Sequence, residues 1–198
     1  MPSELFRAPD PWSIVEASPF ATLVALPSGE VAHAPLLLES DRTLIGHVAG
    51  TSRLAEALRS GAALLAIFAG PHAYVSPFDY DEAGRDAGRH VPTWNYVAAH
   101  VRGRVVPLEE PALARGVLAR LGERFDRRGW TDAALPEGYR AGLVAGVLAF
   151  RLVPSSVEGV EKLGQNRTPS EREAAARALL ARPSEAEQEV GRRMLALR

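Results

Sequence analysis

The chain has 198 residues, with 46% hydrophobic and 24% charged side chains and a formal net charge of −1. That is the make-up of a globular protein able to bury a sizeable core, and it lacks the overall basic excess usual in nucleic-acid binders. The absence of cysteine excludes disulfides, thiolate catalysis and cysteine-ligated metals.

The opening segment, MPSELFRAPDPW, has no apolar signal-peptide core, and the longest apolar run, residues 62–69, is too short to span a bilayer, so a cytoplasmic protein is expected. Asp10 and Pro11 open a short predicted helix over 10–17, with Trp12, Ile14 and Val15 as its apolar side. Residues 20–26, 31–39 and 43–49 are short apolar segments separated by PSGE and SDR, the pattern of a β-meander. An amphipathic helix follows over 52–60, ended by Gly61. Strand material comes next at 62–70 and 72–76. Residues 76–90 are polar, and their length as a surface loop suggests a function. A long strand is predicted over 93–107, a helix over 109–128 and a short helix near 136–143. A strand over 146–154 leads into a polar connector. Two helices with capping-box spacing, opened by Thr168 and Ser184, end the chain. The predicted fold class is mainly β with peripheral helices (α+β), a small barrel. Residues 1–167 are expected as its domain and 168–198 as a C-terminal helical tail.

Standard enzyme motifs are missing: there is no P-loop, dinucleotide fingerprint, HExxH or GxSxG. The five histidines are scattered without metal-ligand spacing, and no metal site is expected. Three segments draw attention. Gly50-Thr51-Ser52-Arg53 leads from a strand into a helix; it could receive an anion or be an ordinary cap beside a solvated arginine. Lys162, Gln165, Asn166 and Arg167 concentrate amides and cations in what could equally be a plain connector. Trp94-Asn95-Tyr96 places a poor strand former between two aromatics, and strand alternation would set Asn95 on the opposite face.

Taken in order, "PFATLV", "APLLLE", "GHVA", "IFAGPHAYVSP", "VPTWNYVAAHVRGRV" and "KLGQNR" resemble the PaiB-like family of FMN-binding proteins, often labelled negative transcriptional regulators. The resemblance covers roughly residues 1–168. It implies an FMN-binding split β-barrel, a homodimer with FMN in a groove between subunits, and a site drawn from Pro35, Leu36, Leu37, Gly46, His47, Ser52, Arg53, Asn95, Lys162, Gln165 and Asn166. Ser52 and Arg53 fall where such proteins hold the flavin phosphate. The strand at 34–37 would offer backbone groups, with Gly46 and His47 lining the same groove. Asn95 would provide a polar contact, and Lys162, Gln165 and Asn166 would approach the ring edge. The chain departs from the family pattern at Gly50 and Ser52, where Arg and Asn are usual, and at Gly164, where Ser is usual.

Any redox activity would come from the flavin. No side chain stands out as its acid or base, although His47 and His100 are the neutral-range candidates. Two other readings stay open. One is a DNA-binding regulator, with basic spots at Arg172, Arg177, Arg182, Arg192, Arg193 and Arg198 interleaved with Glu. The other is a barrel that has lost its flavin and serves as an interaction module.

Overall fold

A computed structural model describes residues 4–81, 88 and 90–197. Part of the polar loop predicted over 76–90, residues 82–87 and 89, lies outside the described residues, as do the first three residues and Arg198. The chain divides into two compact units. One holds Val15–Phe68 and His100–Val157; the other holds the chain up to Ile14, Ala69–Ala99 and the chain from Glu158 onward.

The N-terminal helix α1, Pro11–Ala17, starts as its sequence predicts: the Asp10 carboxylate accepts from Trp12 N at 3.0 Å. In the first unit, β1 (Phe20–Leu26) pairs antiparallel with β2 (Val31–Pro35) and with the start of β5 (Ala63–Val75), in a register that sets Ala21 opposite Phe68. Gly29, at φ 80°, makes the β1–β2 turn and donates to Ala25 O. The segment read as one strand over 31–39 is broken after Pro35. Leu36 N donates to Pro19 O instead, and pairing resumes only at β3, Leu37–Leu38.

β4 (Leu44–Ala49) pairs with β3 on one side and with β7 (Val147–Lys162) on the other. With β6 (Thr93–Pro107), the strand order is β2-β1-β5-β6-β7-β4-β3. Alternation buries Leu23, Ala25, Leu64, Ala66, Val101 and Phe150. The helix α2 (Arg53–Arg59) buries Leu54, Ala55 and Leu58 and ends at Gly61, φ 86°. Next, α3 (Pro111–Phe125) lays Ala114, Val117 and Leu121 on Ile45 and Ala149. The shorter α4 (Glu137–Ala145) adds Val144 to the edge of that cluster.

In the second unit, α5 (Pro169–Leu180) and α6 (Glu185–Ala196) pack Ala175, Ala176 and Leu179 with Val190 and Met194. Gly191 permits the approach: a Cβ there would come within 2.8 Å of Ala176 O. The capping box expected at Thr168 is formed; Ser184 occupies the N-cap of α6 without a side-chain bond.

Arg182 Nη1 donates to Tyr74 O at 2.7 Å and its Nη2 to Asp79 at 2.6 Å, which ties the helix pair to the 3-10 turn Pro77–Tyr80. Residues 168–198, read from sequence as a separate helical tail, thus fall in one unit with Ala69–Ala99 and residues 158–167. The connector expected after residue 154 is also strand: β7 continues to Lys162. Its serines and glutamates hid it, because polar side chains suit the half-exposed positions of a sheet.

Candidate functional site

In the first unit, the predicted site residues lie on β2, β3, β4 and the start of α2. Pro35 ends β2 opposite Phe20, and Leu37 opens β3 opposite Ile45. Leu36 between them is 1% exposed, so its side chain is core and only its backbone can meet a ligand. Gly46 has a packing reason: a Cβ there would overlap Leu36 Cδ2 and lie 3.1 Å from Pro35 O.

His47, next along β4 and opposite Ala149, is half-buried. Its Nδ1 is sealed from solvent with no hydrogen-bond partner among the described residues. Burial lowers the imidazole pKa below its ordinary 6.5, so the ring is neutral near pH 7. A buried polar atom without a partner is costly. It fits a ligand with hydrogen-bonding edges, which a flavin ring has.

Ser52 is the N-cap of α2. Its Oγ accepts from Ala55 N at 3.1 Å and donates to Ala49 O at 2.7 Å, so the hydroxyl is already engaged. Arg53 is exposed and has no partner among the described residues. Gly50, where the family pattern has Arg, donates its N–H to Gly146 O, and its carbonyl accepts from Arg59 Nη1 at 2.8 Å. A Cβ at Gly50 would stand 3.2 Å from Gly146 O. The cation left in this segment to face a phosphate is Arg53.

In the second unit, the alternation predicted for β6 holds: Trp94 and Tyr96 face outward and Asn95 inward. His72 and Tyr74 of β5 meet the Trp94 ring with centroids 5.4 and 6.1 Å away, forming an exposed aromatic patch. Asn95 is 1% exposed, and its amide donates to Met194 Sδ.

Lys162 Nζ donates to Thr93 Oγ1 at 2.6 Å. Gln165 folds back on its own turn, with Oε1 accepting from Leu163 N at 2.8 Å and Nε2 donating to Glu161 O. Asn166 is exposed, and its side chain has no hydrogen bond among the described residues. Of the polar residues predicted here, it is the one with a free amide.

Sequence reasoning missed how Arg167 is used. Its guanidinium carbon lies 4.6 Å from the Tyr80 ring centroid, and Nη1 stands 3.3 Å from His90 Nδ1. His90 also meets Glu171 Oε1 at 3.5 Å and tilts against Tyr80 at 4.7 Å. Burial raises the Tyr80 phenol pKa. The sequence signal was Arg167 itself, grouped with Lys162, Gln165 and Asn166 just before the Thr168 capping box. No group of three or more metal-ligating side chains exists among the described residues, and no helix there is long and apolar enough to cross a membrane.

Comparison with known proteins gives this geometry a family. Residues 5–155 match the family model described as "Putative FMN-binding domain". The chain is 28% identical over 175 residues to "Protease synthase and sporulation protein PAI 2" of Bacillus subtilis (strain 168), covering 83% of this chain and 80% of that protein. Among solved structures, it resembles the flavocytochrome Anf3 from Azotobacter vinelandii, with a TM-score of 0.62 and 15% identity over 80% of this chain and 70% of that one. It also resembles the FAD and heme binding protein from Mycobacterium smegmatis, with a TM-score of 0.57 and 19% identity over 76% and 69%. These likenesses show the fold: an α+β split barrel built on an antiparallel sheet, with six α-helices among the described residues. The match over residues 5–155 and the PAI 2 relative together place the chain in the PaiB-like FMN-binding family, with FMN as its cofactor.

Proposed function

We propose that this protein is a flavin-dependent redox or sensing protein that works as a homodimer and holds FMN against β2–β4 and the start of α2. The observation that carries the reading is the buried, unpartnered His47 Nδ1 on β4. FMN, when bound, supplies the electron-transfer chemistry. The chain's own residues bind and orient. Arg53 offers a charge-assisted bond to the phosphate. Neutral His47 offers Nδ1 to a polar atom of the ring, and the backbone at Pro35–Leu37 offers carbonyl groups. Asn166 is a candidate in its own right and is tested separately. The exposed Trp94, Tyr74 and Tyr96 support dimerisation, because a large aromatic patch on a small protein marks an interaction surface.

The test is titration of FMN into flavin-stripped wild type and His47→Leu, followed by quenching of flavin fluorescence. Saturable binding by wild type and at least about fivefold weaker binding by the variant are expected from the loss of one hydrogen bond. A wild type that takes up no FMN overturns the reading.

A further inference from the structure

The first unit holds a cavity of about 480 Å³ between α3 and α4. None of the predicted flavin residues lines it. Its inner wall is apolar, with Leu148 2% and Ala114 3% exposed and Val144 closing the side toward α4. Three arginines, Arg59, Arg115 and Arg140, and two glutamates, Glu109 and Glu137, stand around this wall, so cations exceed carboxylates by one. Volume and lining are those of a small-molecule cleft: an apolar wall, open along the exposed side of α4, with charged groups that set orientation.

The three arginines are not equally satisfied. Arg115 is fixed by Asp132 Oδ2 at 2.6 Å, and Arg59 pairs with Glu109 at 3.4 Å. Arg140 is the most buried, its side chain 15% exposed. It bonds Glu137, which is 77% exposed, and meets Asp132 at longer range, its carbonyl oxygen at 3.4 Å and its carboxylate Oδ2 at 4.0 Å. Its Nε is sealed from solvent and has no acceptor among the described residues. A buried guanidinium N–H without an acceptor is unfavourable, and the exposed Glu137 carboxylate loses little by returning to water.

From the apolar wall and the unsatisfied Nε of Arg140 we infer that this cavity binds a small carboxylic acid with an apolar body. The carboxylate is held by Arg140, after a turn of its guanidinium, and the body lies on Leu148, Ala114 and Val144. A cavity of this size takes an acid of about eight to twelve heavy atoms. A carboxylate suits the site better than a neutral polar head, because a planar two-oxygen acceptor matches the fork of an arginine.

The experiment uses octanoate as the probe and 1-octanol as its uncharged counterpart, titrated by calorimetry into the protein as purified with its flavin. Wild type is expected to bind octanoate saturably, one per chain, and octanol at least about tenfold more weakly. Arg140→Met should bind the two alike. Ala141→Trp, which fills the cavity from the exposed side of α4, should bind neither. If circular dichroism shows Arg140→Met unfolded, Arg140→Lys takes its place; it lacks the fork and should lose at least about fivefold for octanoate. Flavin absorbance recorded in parallel should not change. Absence of saturation, equal affinity of wild type for acid and alcohol, undiminished binding by Ala141→Trp or by Arg140→Lys, or release of flavin by octanoate would each overturn the assignment.

Discussion

Asn95 donates its side-chain N–H to the sulfur of Met194 at 3.3 Å, joining β6 to α6 across ninety-nine positions of the chain. Both side chains are sealed from solvent, Met194 at 0%. A thioether is a weak acceptor, so this bond matters mainly for what its loss would leave behind. Asn95→Ala should lower stability by about 1–3 kcal/mol. Met194→Leu keeps the volume but strands the amide, and should cost about 1 kcal/mol or more. Urea unfolding of flavin-stripped protein measures both. FMN affinity of the folded variants should stay at the wild-type value. Weakened flavin binding at unchanged stability would return Asn95 to the flavin site, where the family resemblance put it.

The two amides of the QNR segment should separate. Gln165 bonds the backbone on both sides of its turn, whereas Asn166 is exposed and uncommitted. Gln165→Ala is expected to lower the melting temperature of the apo protein, with Leu163 N and Glu161 O losing partners worth about 1 kcal/mol each. Asn166→Ala is expected to leave melting unchanged and weaken FMN. The opposite pattern would reverse the two roles.

His47 should make the apo protein acid-sensitive above the carboxylate range. Its folded pKa lies below the ordinary 6.5 because burial disfavours the imidazolium. Below pH 6.5 the unfolded chain therefore takes up a proton that the folded chain resists, and stability falls with pH until the folded pKa is passed. Replacing His47 with Leu should remove that slope. Urea midpoints of both proteins, compared between about pH 7.5 and about pH 5.5, show it as a gap that changes with pH. A constant gap would mean that the ring titrates alike in both states.

Arg53 should set the preference for FMN over riboflavin. The two ligands differ by one phosphate, Ser52 already spends its hydroxyl on the helix cap, and Arg53 is the uncommitted cation beside it. A charge-assisted bond is worth about 1.5–3 kcal/mol, so Arg53→Ala should weaken FMN about tenfold to hundredfold. Riboflavin should bind as before. Parallel titrations at matched ionic strength decide between a phosphate contact and general support of the pocket, which would weaken both ligands equally.

Light scattering should report a dimer. Trp94, with His72 and Tyr74 against it, is 52% exposed, and Trp94→Glu should shift the population toward monomer as it places a charge in the seam. A concentration-independent monomer mass for wild type would dismiss the dimer.

The described arginines of α5, α6 and the turn between them are engaged within the chain. Arg182 holds Asp79 and Glu187, Arg193 holds Glu161 and Glu189, Arg192 holds Glu189, and Arg177 holds Glu173. Arg172 donates to Leu197 O. The interleaved glutamates visible in the sequence foretold the Arg177–Glu173, Arg192–Glu189 and Arg193–Glu189 pairs, since helix positions three and four apart share a face; the pairs to Asp79 and Glu161 came only with the tertiary structure.

Local rules in the sequence determined most of the elements. Asp10, Gly61 and the Thr168 capping box ended or opened helices where predicted, because caps act over three or four residues. Alternation alone put Trp94 and Tyr96 on one face and Asn95 on the other; the structure decided that the aromatics face outward. The tertiary structure decided what those side chains meet. Whether Asn95 faces a flavin or Met194, and whether Gln165 is free or folded into its turn, depends on segments far apart in sequence or on a backbone geometry that residue types do not specify. The extension of β7 through Ser155, Ser156 and Glu158 was hidden for the same reason: polar residues read as loop until a neighbouring strand supplies their backbone with partners. The arginine-rimmed cleft between α3 and α4 lay wholly beyond the sequence, because a cleft exists only once the elements that wall it have packed.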